Sequence, residues 1–187
     1  FNDSLVVNLQ YNLPFIIKDL IFSFSNKIKY GKVIDLGCGT GLSAEGLRSI
    51  SRNLTGVDLS ENMILEANKL NLYDELIVGD IVDVLNSTQY KYELFVALDV
   101  LIYVGDADLF FKTIRKYCYQ NALLIFSIEL QQEKGFSLLK SSRYSHSEDY
   151  IMNLLSSGFD FVKSKDVKLR KEGGNWIEGK IYAFKAN

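Results

Sequence analysis

Apolar positions recur along this chain with two different spacings, and the change of spacing marks its predicted elements. Leu13–Phe24 is apolar with Lys18 and Asp19 interspersed, which predicts an amphipathic helix that is too short to span a bilayer. From residue 30 onward, short apolar runs alternate with segments of helical spacing. The predicted strands are Lys32–Leu36, Asn53–Asp58, Glu75–Val78, Tyr92–Leu98 and Ala122–Glu129, and the predicted helices are Leu42–Ser51, Asn62–Leu70, Ala107–Tyr119 and Ser147–Ser157. This alternation favours crossover units built on a parallel sheet.

The last third of the chain has a different pattern. Phe159–Leu169 and Trp176–Lys185 alternate apolar and exposed positions, and the turn-rich segment Lys171–Asn175 joins them, which predicts a closing β-hairpin. Residues 130–146 form a long, polar, mixed segment that we predict to be a loop on the substrate side of a pocket.

Composition narrows the class of protein. The chain has 187 residues, 48% of them hydrophobic and 24% charged, which fits one soluble globular domain and excludes a disordered chain. The net charge is −2, so no overall positive field would attract nucleic acid or an anionic membrane. We therefore expect a partner that is a small molecule or a locally recognised protein side chain.

Cysteine usage and the first residue suggest the setting of the protein. The two cysteines, Cys38 and Cys118, form no disulfide framework or zinc-ligand pattern, so we predict no metal and a cytoplasmic location. The chain begins at Phe1 without a methionine and without a signal-peptide pattern, and we expect it to be a fragment with a segment missing upstream.

A glycine-rich loop follows the first predicted strand. Gly37, Gly39 and Gly41 lie between that strand and a helix, where the backbone must approach a ligand closely. Ligands of open α/β sheets bind at the carboxyl ends of the strands, where the strand order reverses. The loop is therefore predicted to form the floor of a ligand pocket.

A nicotinamide cofactor is the first alternative for this pocket. The segment Gly39–Ala44 satisfies the dinucleotide pattern Gly-x-Gly-x-x-Gly/Ala, but Gly37 already occupies the position directly after the strand, so the register fits poorly. Asp35 at the strand end would lie near the pyrophosphate of such a cofactor, and two negatively charged groups repel each other. A carboxylate at this position instead suits a cofactor that carries an ammonium group.

Four segments in order resemble the motifs of the class I S-adenosylmethionine-dependent methyltransferases. They are Val33–Gly41, Gly56–Ser60, Val78–Ile81 and Leu98–Val104. The resemblance implies that Asp35 supports the amino group of the methionine part and that Asp58 accepts hydrogen bonds from both ribose hydroxyls, for which a carboxylate has enough acceptor sites. It also implies that Asp80 faces the adenine amino group and Ile81 the adenine ring. The further cofactor-binding residues that it implies are Gly37, Cys38, Gly39, Leu59, Met63, Leu98, Asp99 and Tyr11.

The implied fold is a three-layer, Rossmann-like α/β methyltransferase fold. Its sheet would have seven mostly parallel strands, with one antiparallel strand in the C-terminal hairpin. We expect residues 1–187 to form a single domain in which the helical segment 1–30 covers the cofactor site. The N-terminal residues 1–14, Arg143–Ser147 and Leu169–Gly179 also resemble predicted bacterial methyltransferases that are associated with tetratricopeptide repeats, although Gln10 stands where that group usually has glycine. A repeat region upstream of Phe1 is therefore expected.

Some candidate residues keep two interpretations. His146, the only histidine, either removes a proton from the acceptor as a general base or has a structural role, and Tyr103 and Tyr11 either close over the cofactor or pack half-buried. Met63 borders the adenine or packs in the core. Arg143 holds an acidic group of the substrate or caps a loop.

The predicted reaction is transfer of a methyl group from S-adenosylmethionine to an oxygen or nitrogen nucleophile, with S-adenosylhomocysteine as the product. Nucleic acid is not the expected acceptor, since the chain has no basic-aromatic stripe and no Asn/Asp-Pro-Pro-aromatic tetrad. The alternatives are a catalytically silent module that binds S-adenosylmethionine and a nicotinamide-dependent oxidoreductase.

Overall fold

A computed structural model describes residues 13–187, with side chains from Ile16 onward. Tyr11 and the rest of segment 1–12 lie outside the described residues. In chain order the elements are α1 (Leu13–Phe24), β1 (Tyr30–Leu36), α2 (Ala44–Ile50), β2 (Ser51–Asp58), α3 (Glu61–Asn68), β3 (Glu75–Val78), α4 (Ile81–Ser87), β4 (Tyr92–Ala97), a 3-10 turn (Leu101–Tyr103), α5 (Asp108–Lys116), β5 (Cys118–Glu129), β6 (Phe136–Leu138), β7 (Tyr144–His146), α6 (Glu148–Leu155), β8 (Phe159–Glu172) and β9 (Asn175–Ala186).

The main sheet has seven strands in the order β3-β2-β1-β4-β5-β9-β8. Strands β1 to β5 pair in parallel, and β9 pairs antiparallel with both β5 and β8. The predicted α/β fold with one antiparallel strand in a C-terminal hairpin is therefore confirmed. The order reverses between β1 and β4, so the carboxyl ends of these strands border the crevice in which ligands of such sheets bind.

The hydrophobic core lies on both faces of this sheet, because successive residues of a strand point to opposite sides. In β1, Val33 packs with α1 and α2 on one face, whereas Ile34 packs with α4, α5 and α6 on the other. On the second face Phe126 of β5 stacks on Tyr182, with ring centroids 5.5 Å apart, and also contacts Phe111 of α5. This double-sided burial fixes the strand ends that carry the site.

Helix α1 packs against α2 and the first face of the sheet. Ile17 and Ile21 are fully buried there, and a Cβ added at Gly46 of α2 would lie 3.0 Å from Ile17 Cγ2. No residue from Ile16 to Phe24 lines the pocket described below. The segment 1–30 was predicted to cover the cofactor site, but its helical residues Ile16–Phe24 do not lie over that pocket.

The sequence prediction was wrong for two segments, residues 130–146 and helix α4. Residues 130–146 do not form one long loop, because β6 and β7 pair antiparallel within them as a small second sheet. Each of these strands has three residues, too few to show a period of two in the sequence. Helix α4 was missed, and its seven residues follow Asp80, whose side chain caps the helix. The predicted N-cap Ser147 is confirmed, since its Oγ accepts a hydrogen bond from the Tyr150 amide in α6.

Candidate active site

A pocket of about 750 Å³ lies at the carboxyl ends of β1, β2, β3 and β4, at the reversal of strand order. It contains nearly all of the residues that the sequence predicted for the cofactor. Those in its lining are Asp35, Gly37, Cys38, Gly39, Asp58, Leu59, Met63, Asp80, Ile81, Leu98 and Asp99. Tyr103 also lines the pocket and is 71% exposed.

The glycine loop owes its shape to left-handed backbone. Gly37 has a φ of +69° and Gly39 a φ of +54°, which L side chains rarely adopt. A Cβ at Gly37 would lie 2.5 Å from Val100 Cγ2, so this glycine lets the loop pack against the segment after β4. A Cβ at Gly39 would meet nothing within 4 Å, which leaves open space beside the backbone at the pocket wall.

Asp58 at the end of β2 is fixed by two backbone amides. Gly39 N donates to Oδ2 at 2.9 Å, and Ser60 N donates to Oδ1 at 2.9 Å. Each carboxylate oxygen has a second lone pair, so both oxygens keep an acceptor site for a ligand hydroxyl. The glycine loop and the carboxylate therefore position each other.

Asp35 at the end of β1 is a buried carboxyl group without a cationic partner. Ser43 Oγ and Tyr73 Oη donate to its Oδ2 at 2.5 Å and 2.7 Å. Burial raises the pKa of Asp35 to about 6, the two hydrogen bonds oppose this rise, and the charge of Asp58 adds to it. Within residues 13–187 no lysine or arginine forms an ion pair with Asp35 or Asp58. This part of the pocket therefore suits a cationic ligand group.

The outer rim of the pocket is formed by the starts of α3 and α4. Met63 and Ile81 are half-buried there, and Leu59 is 75% exposed. Asp80 uses Oδ1 to cap α4, where it accepts hydrogen bonds from the amides of Val82 at 2.8 Å and Asp83 at 3.3 Å. Apolar side chains beside an acceptor group suit a flat heteroaromatic ring with an amino group.

The opposite side of the pocket contains charged residues that the sequence did not reveal as a group. Asp99 follows β4, Arg143 precedes β7, and Arg170 lies on β8. Arg170 is 3% exposed because a register shift in the β8–β9 pairing between Lys168 and Arg170 turns it inward next to the buried Leu169. Strict alternation along β8 would bury only one of the neighbours Leu169 and Arg170. The sequence pattern therefore did not predict that Arg170 is buried as well.

His146 does not line the pocket. Its side chain is fully buried between Phe136 and Tyr150, with ring centroids 6.1 Å and 5.8 Å away, and its Nε2 donates to the Gly105 carbonyl at 2.9 Å. Burial lowers its pKa. The structure thus removes the geometric basis for His146 as a general base and favours a structural role.

Cys38 lines the pocket, and burial raises the pKa of its thiol, which disfavours the reactive thiolate. Both cysteines are free and buried.

In the described part of the chain no group of three or more His, Cys, Asp or Glu side chains is arranged to hold a metal ion. Nor is any helix of residues 13–187 long and apolar enough to cross a membrane.

Comparison with known proteins agrees with the fold. Residues 34–126 match a family model described as a methyltransferase domain. An S-adenosylmethionine-dependent methyltransferase from Clostridium acetobutylicum has a similar structure, with a TM-score of 0.74 and 18% identity over 99% of this chain and 96% of that one. The N-methyltransferase NodS from Bradyrhizobium japonicum, solved with S-adenosyl-L-homocysteine, gives a TM-score of 0.74 and 16% identity over 91% of this chain and 85% of its own.

The strand order and the similar structures give this chain the fold of S-adenosylmethionine-dependent methyltransferases, and its match to the methyltransferase-domain model covers residues 34–126. Among curated proteins, the chain is similar to a ubiquinone biosynthesis O-methyltransferase from Glaesserella parasuis, with 24% identity over 136 residues, 68% of this chain and 55% of the relative. The chain thus spans about half the length of the curated relatives it matches.

Proposed function

We propose that this protein binds S-adenosylmethionine in the described pocket and transfers its methyl group to an oxygen or nitrogen nucleophile. The observation that carries the proposal is the row of carboxylates at successive strand ends, Asp35, Asp58 and Asp80, beside a glycine loop with open space. An ammonium and a sulfonium group suit this negative environment, whereas the pyrophosphate of a nicotinamide cofactor would be repelled by Asp35 and Asp58.

Each part of the cofactor has a fitting surface in this pocket. Asp35 would pair with the ammonium group, Asp58 would accept the two ribose hydroxyls, and Met63, Ile81 and Asp80 would surround the adenine. When bound, the sulfonium supplies the methyl group: the acceptor's lone pair bonds to the methyl carbon, the carbon–sulfur bond breaks with its electron pair on sulfur, and the acceptor loses its proton. The residues of the pocket hold acceptor and donor in line and exclude water.

The acceptor is a small molecule or a protein side chain in this proposal. The curated relatives are named as O-methyltransferases and NodS as an N-methyltransferase, so both kinds of nucleophile occur among similar proteins. The association with tetratricopeptide repeats and the cytoplasmic location stay predictions.

The direct test is isothermal titration with S-adenosylmethionine, S-adenosylhomocysteine and NAD(H). We expect both sulfur compounds to bind with micromolar or lower Kd and NAD(H) not to bind. Binding of NAD(H) alone would support the oxidoreductase alternative. If the sulfur compounds bind but a broad acceptor panel yields no methylated product, the protein is the silent binding module instead.

The affinity for S-adenosylmethionine is expected to depend on pH through Asp35. The pKa of Asp35 is about 6, above its ordinary value of 3.8, because the folded protein disfavours the ionised carboxylate. In the ligand-free protein, the free energy of unfolding therefore falls as the pH rises from about 4 to about 6. A ligand ammonium group favours the ionised carboxylate, so affinity should increase as the pH rises through about 6 and then level off. Titrations from pH 5 to pH 8 would show this.

The matched variant for this experiment is Asp35→Asn, which keeps the shape of the side chain and removes its charge. We expect weaker binding in this variant and loss of the pH dependence near 6. An unchanged pH profile in Asp35→Asn would show that another group causes it.

A further inference from the structure

A buried charge cluster forms the wall of the pocket opposite the carboxylates of β1 and β2. At its centre is Arg170, whose Nη2 donates to Glu129 Oε2 at 2.8 Å. Nη1 of Arg170 lies 3.8 Å from Asp99 Oδ1, and Nη2 lies 3.7 Å from Glu172 Oε2. Arg143 Nη1 donates to the other oxygen of Glu172, Oε1, at 2.5 Å. Of this cluster, Asp99, Arg143 and Arg170 line the pocket.

The cluster contains hydrogen-bonding groups that its own members do not satisfy. Asp99 Oδ1, Arg170 Nε and Arg170 Nη1 are buried without a hydrogen-bond partner among the described residues. Such groups are costly to bury, and two of them, Asp99 Oδ1 and Arg170 Nη1, face each other at 3.8 Å, beyond hydrogen-bond distance. The Asp99 side chain is 18% exposed although Oδ1 is buried, and Asp99 lines the pocket.

The charges of the cluster do not balance. Its three carboxyl groups, Asp99, Glu129 and Glu172, face two guanidinium groups, so with all of them ionised one negative charge is left over. Glu129 and Glu172 each accept a hydrogen bond from an arginine, whereas Asp99 does not. Asp99 is therefore the carboxylate that the cluster holds least firmly in its charged form.

The pKa of Asp99 agrees with this geometry. Burial raises it to about 6, the charges of Arg170 and Arg143 lower it, and the charge of Glu129 raises it. Asp99 is thus ionised at neutral pH and can take up a proton at small cost, which is the property a general base needs.

We propose that Asp99 is a catalytic residue that accepts the proton of a hydroxyl acceptor, and that Arg170, held by Glu129, is the positioning residue behind it. This inference rests on the proposed function and narrows it to O-methyl transfer. The acceptor hydroxyl donates to Asp99, its oxygen forms a bond to the methyl carbon, and the carbon–sulfur bond breaks with its electron pair on sulfur. The proton moves to Asp99, and the cluster becomes neutral.

The same cluster disfavours an amine as the acceptor. The excess negative charge of the cluster would attract an alkyl ammonium group and keep it protonated, so its nitrogen would have no free lone pair with which to react. A hydroxyl group enters uncharged, and the negative charge that develops on its oxygen is stabilised by the two guanidinium groups.

Matched pairs of an alcohol and its alkylamine test the inference: benzyl alcohol with benzylamine, 2-phenylethanol with 2-phenylethylamine, and cyclohexanol with cyclohexylamine. Each pair differs only in the reacting group, and methyl transfer from labelled S-adenosylmethionine is measured at saturating cofactor. We expect product from hydroxyl members and at least 10-fold less from their amine counterparts. In Asp99→Asn, turnover at saturating cofactor should fall by about 10²-fold or more, a larger factor than any loss of S-adenosylhomocysteine affinity. The exposed Asp149→Asn is the control.

The pH profile of kcat separates a base from a merely structural residue. Turnover needs ionised Asp99, so kcat should fall as the pH drops through about 6. The double variant Arg170→Gln with Glu129→Gln removes both charges of the buried pair together, so neither partner is left with an unpaired charge. Because Arg170 affects the pKa of Asp99 more than Glu129 does, the acidic limb of the profile should move to higher pH in this variant.

Three results would overturn the inference: amines methylated in preference to their hydroxyl partners, Asp99→Asn with more than a third of parental turnover, or cofactor binding with no hydroxyl compound methylated. Each leaves the cofactor site standing. Failure to bind the cofactor, or cofactor binding with neither hydroxyl nor amine compounds methylated, would instead refute the proposed function.

Discussion

The variant Asp58→Ala is expected to lose at least about 100-fold in affinity for S-adenosylhomocysteine. Two ligand hydroxyls would hydrogen-bond to its carboxylate, and hydrogen bonds to charged groups contribute roughly 1.5–3 kcal/mol each. At about 1.4 kcal/mol for each factor of ten, losing both corresponds to a factor of at least 10². Isothermal titration measures the change directly.

A second variant separates ligand contact from loop geometry. Asp58 also holds the amides of Gly39 and Ser60, so alanine removes two internal hydrogen bonds as well. Asp58→Asn keeps one acceptor oxygen, and we expect its affinity to lie between those of the parent and Asp58→Ala. Asp19→Ala, on the exposed side of α1, is the control. Undiminished affinity in a folded Asp58→Ala protein would refute the assignment of the ribose contact.

The variant Glu129→Ala is expected to lower the free energy of unfolding by about 3–5 kcal/mol, the usual cost of removing one partner of a buried ion pair. Glu129 is 6% exposed and provides the one hydrogen bond of the Arg170 guanidinium group that is found among the described residues. Without it, a buried positive charge depends on Asp99 and Glu172 at 3.8 Å and 3.7 Å. Urea unfolding followed by circular dichroism would measure the loss.

Two controls distinguish a stranded charge from a lost contact. Glu129→Leu combined with Arg170→Met removes both charges and should recover most of the stability, because well-packed apolar pairs often replace buried ion pairs without loss. Glu66→Ala breaks the exposed ion pair with Lys69 and should cost less than about 1 kcal/mol. A loss for Glu129→Ala as small as that for Glu66→Ala would mean that Arg170 finds another partner.

The cofactor side of the pocket was readable from the sequence because its signals are local. Asp35 and Asp58 stand at the ends of apolar runs, and the glycines follow one of those runs directly, so each residue's place in the sheet follows from its neighbours in the chain. In a parallel sheet, the carboxyl ends of successive strands meet at one edge. The sequence pattern was therefore enough to bring Asp35, Asp58 and Asp80 into one pocket.

The hydrogen-bond partners of Asp35 could not be predicted from the sequence. Ser43 and Tyr73 hydrogen-bond to Asp35 from 8 and 38 residues away, and no local pattern relates them to that carboxylate. For His146 the sequence left two roles open: its segment is next to a helix at the expected edge, but packing against Phe136 and Tyr150 turns its ring into the interior.

By itself, the sequence determined the chain order of the seven main-sheet strands and of all described α-helices except α4, the closing hairpin, and the glycine loop with its row of strand-end carboxylates. It could do so because hydrophobic period and turn chemistry are properties of neighbouring residues. Only the tertiary structure decided the opposite wall of the pocket, where Asp99, Glu129 and Arg170 come together from three separate strand regions. That meeting depends on the antiparallel insertion of β9 and on one register shift in β8. A shift of one residue reverses which side chains point inward, and it leaves no mark in the local pattern.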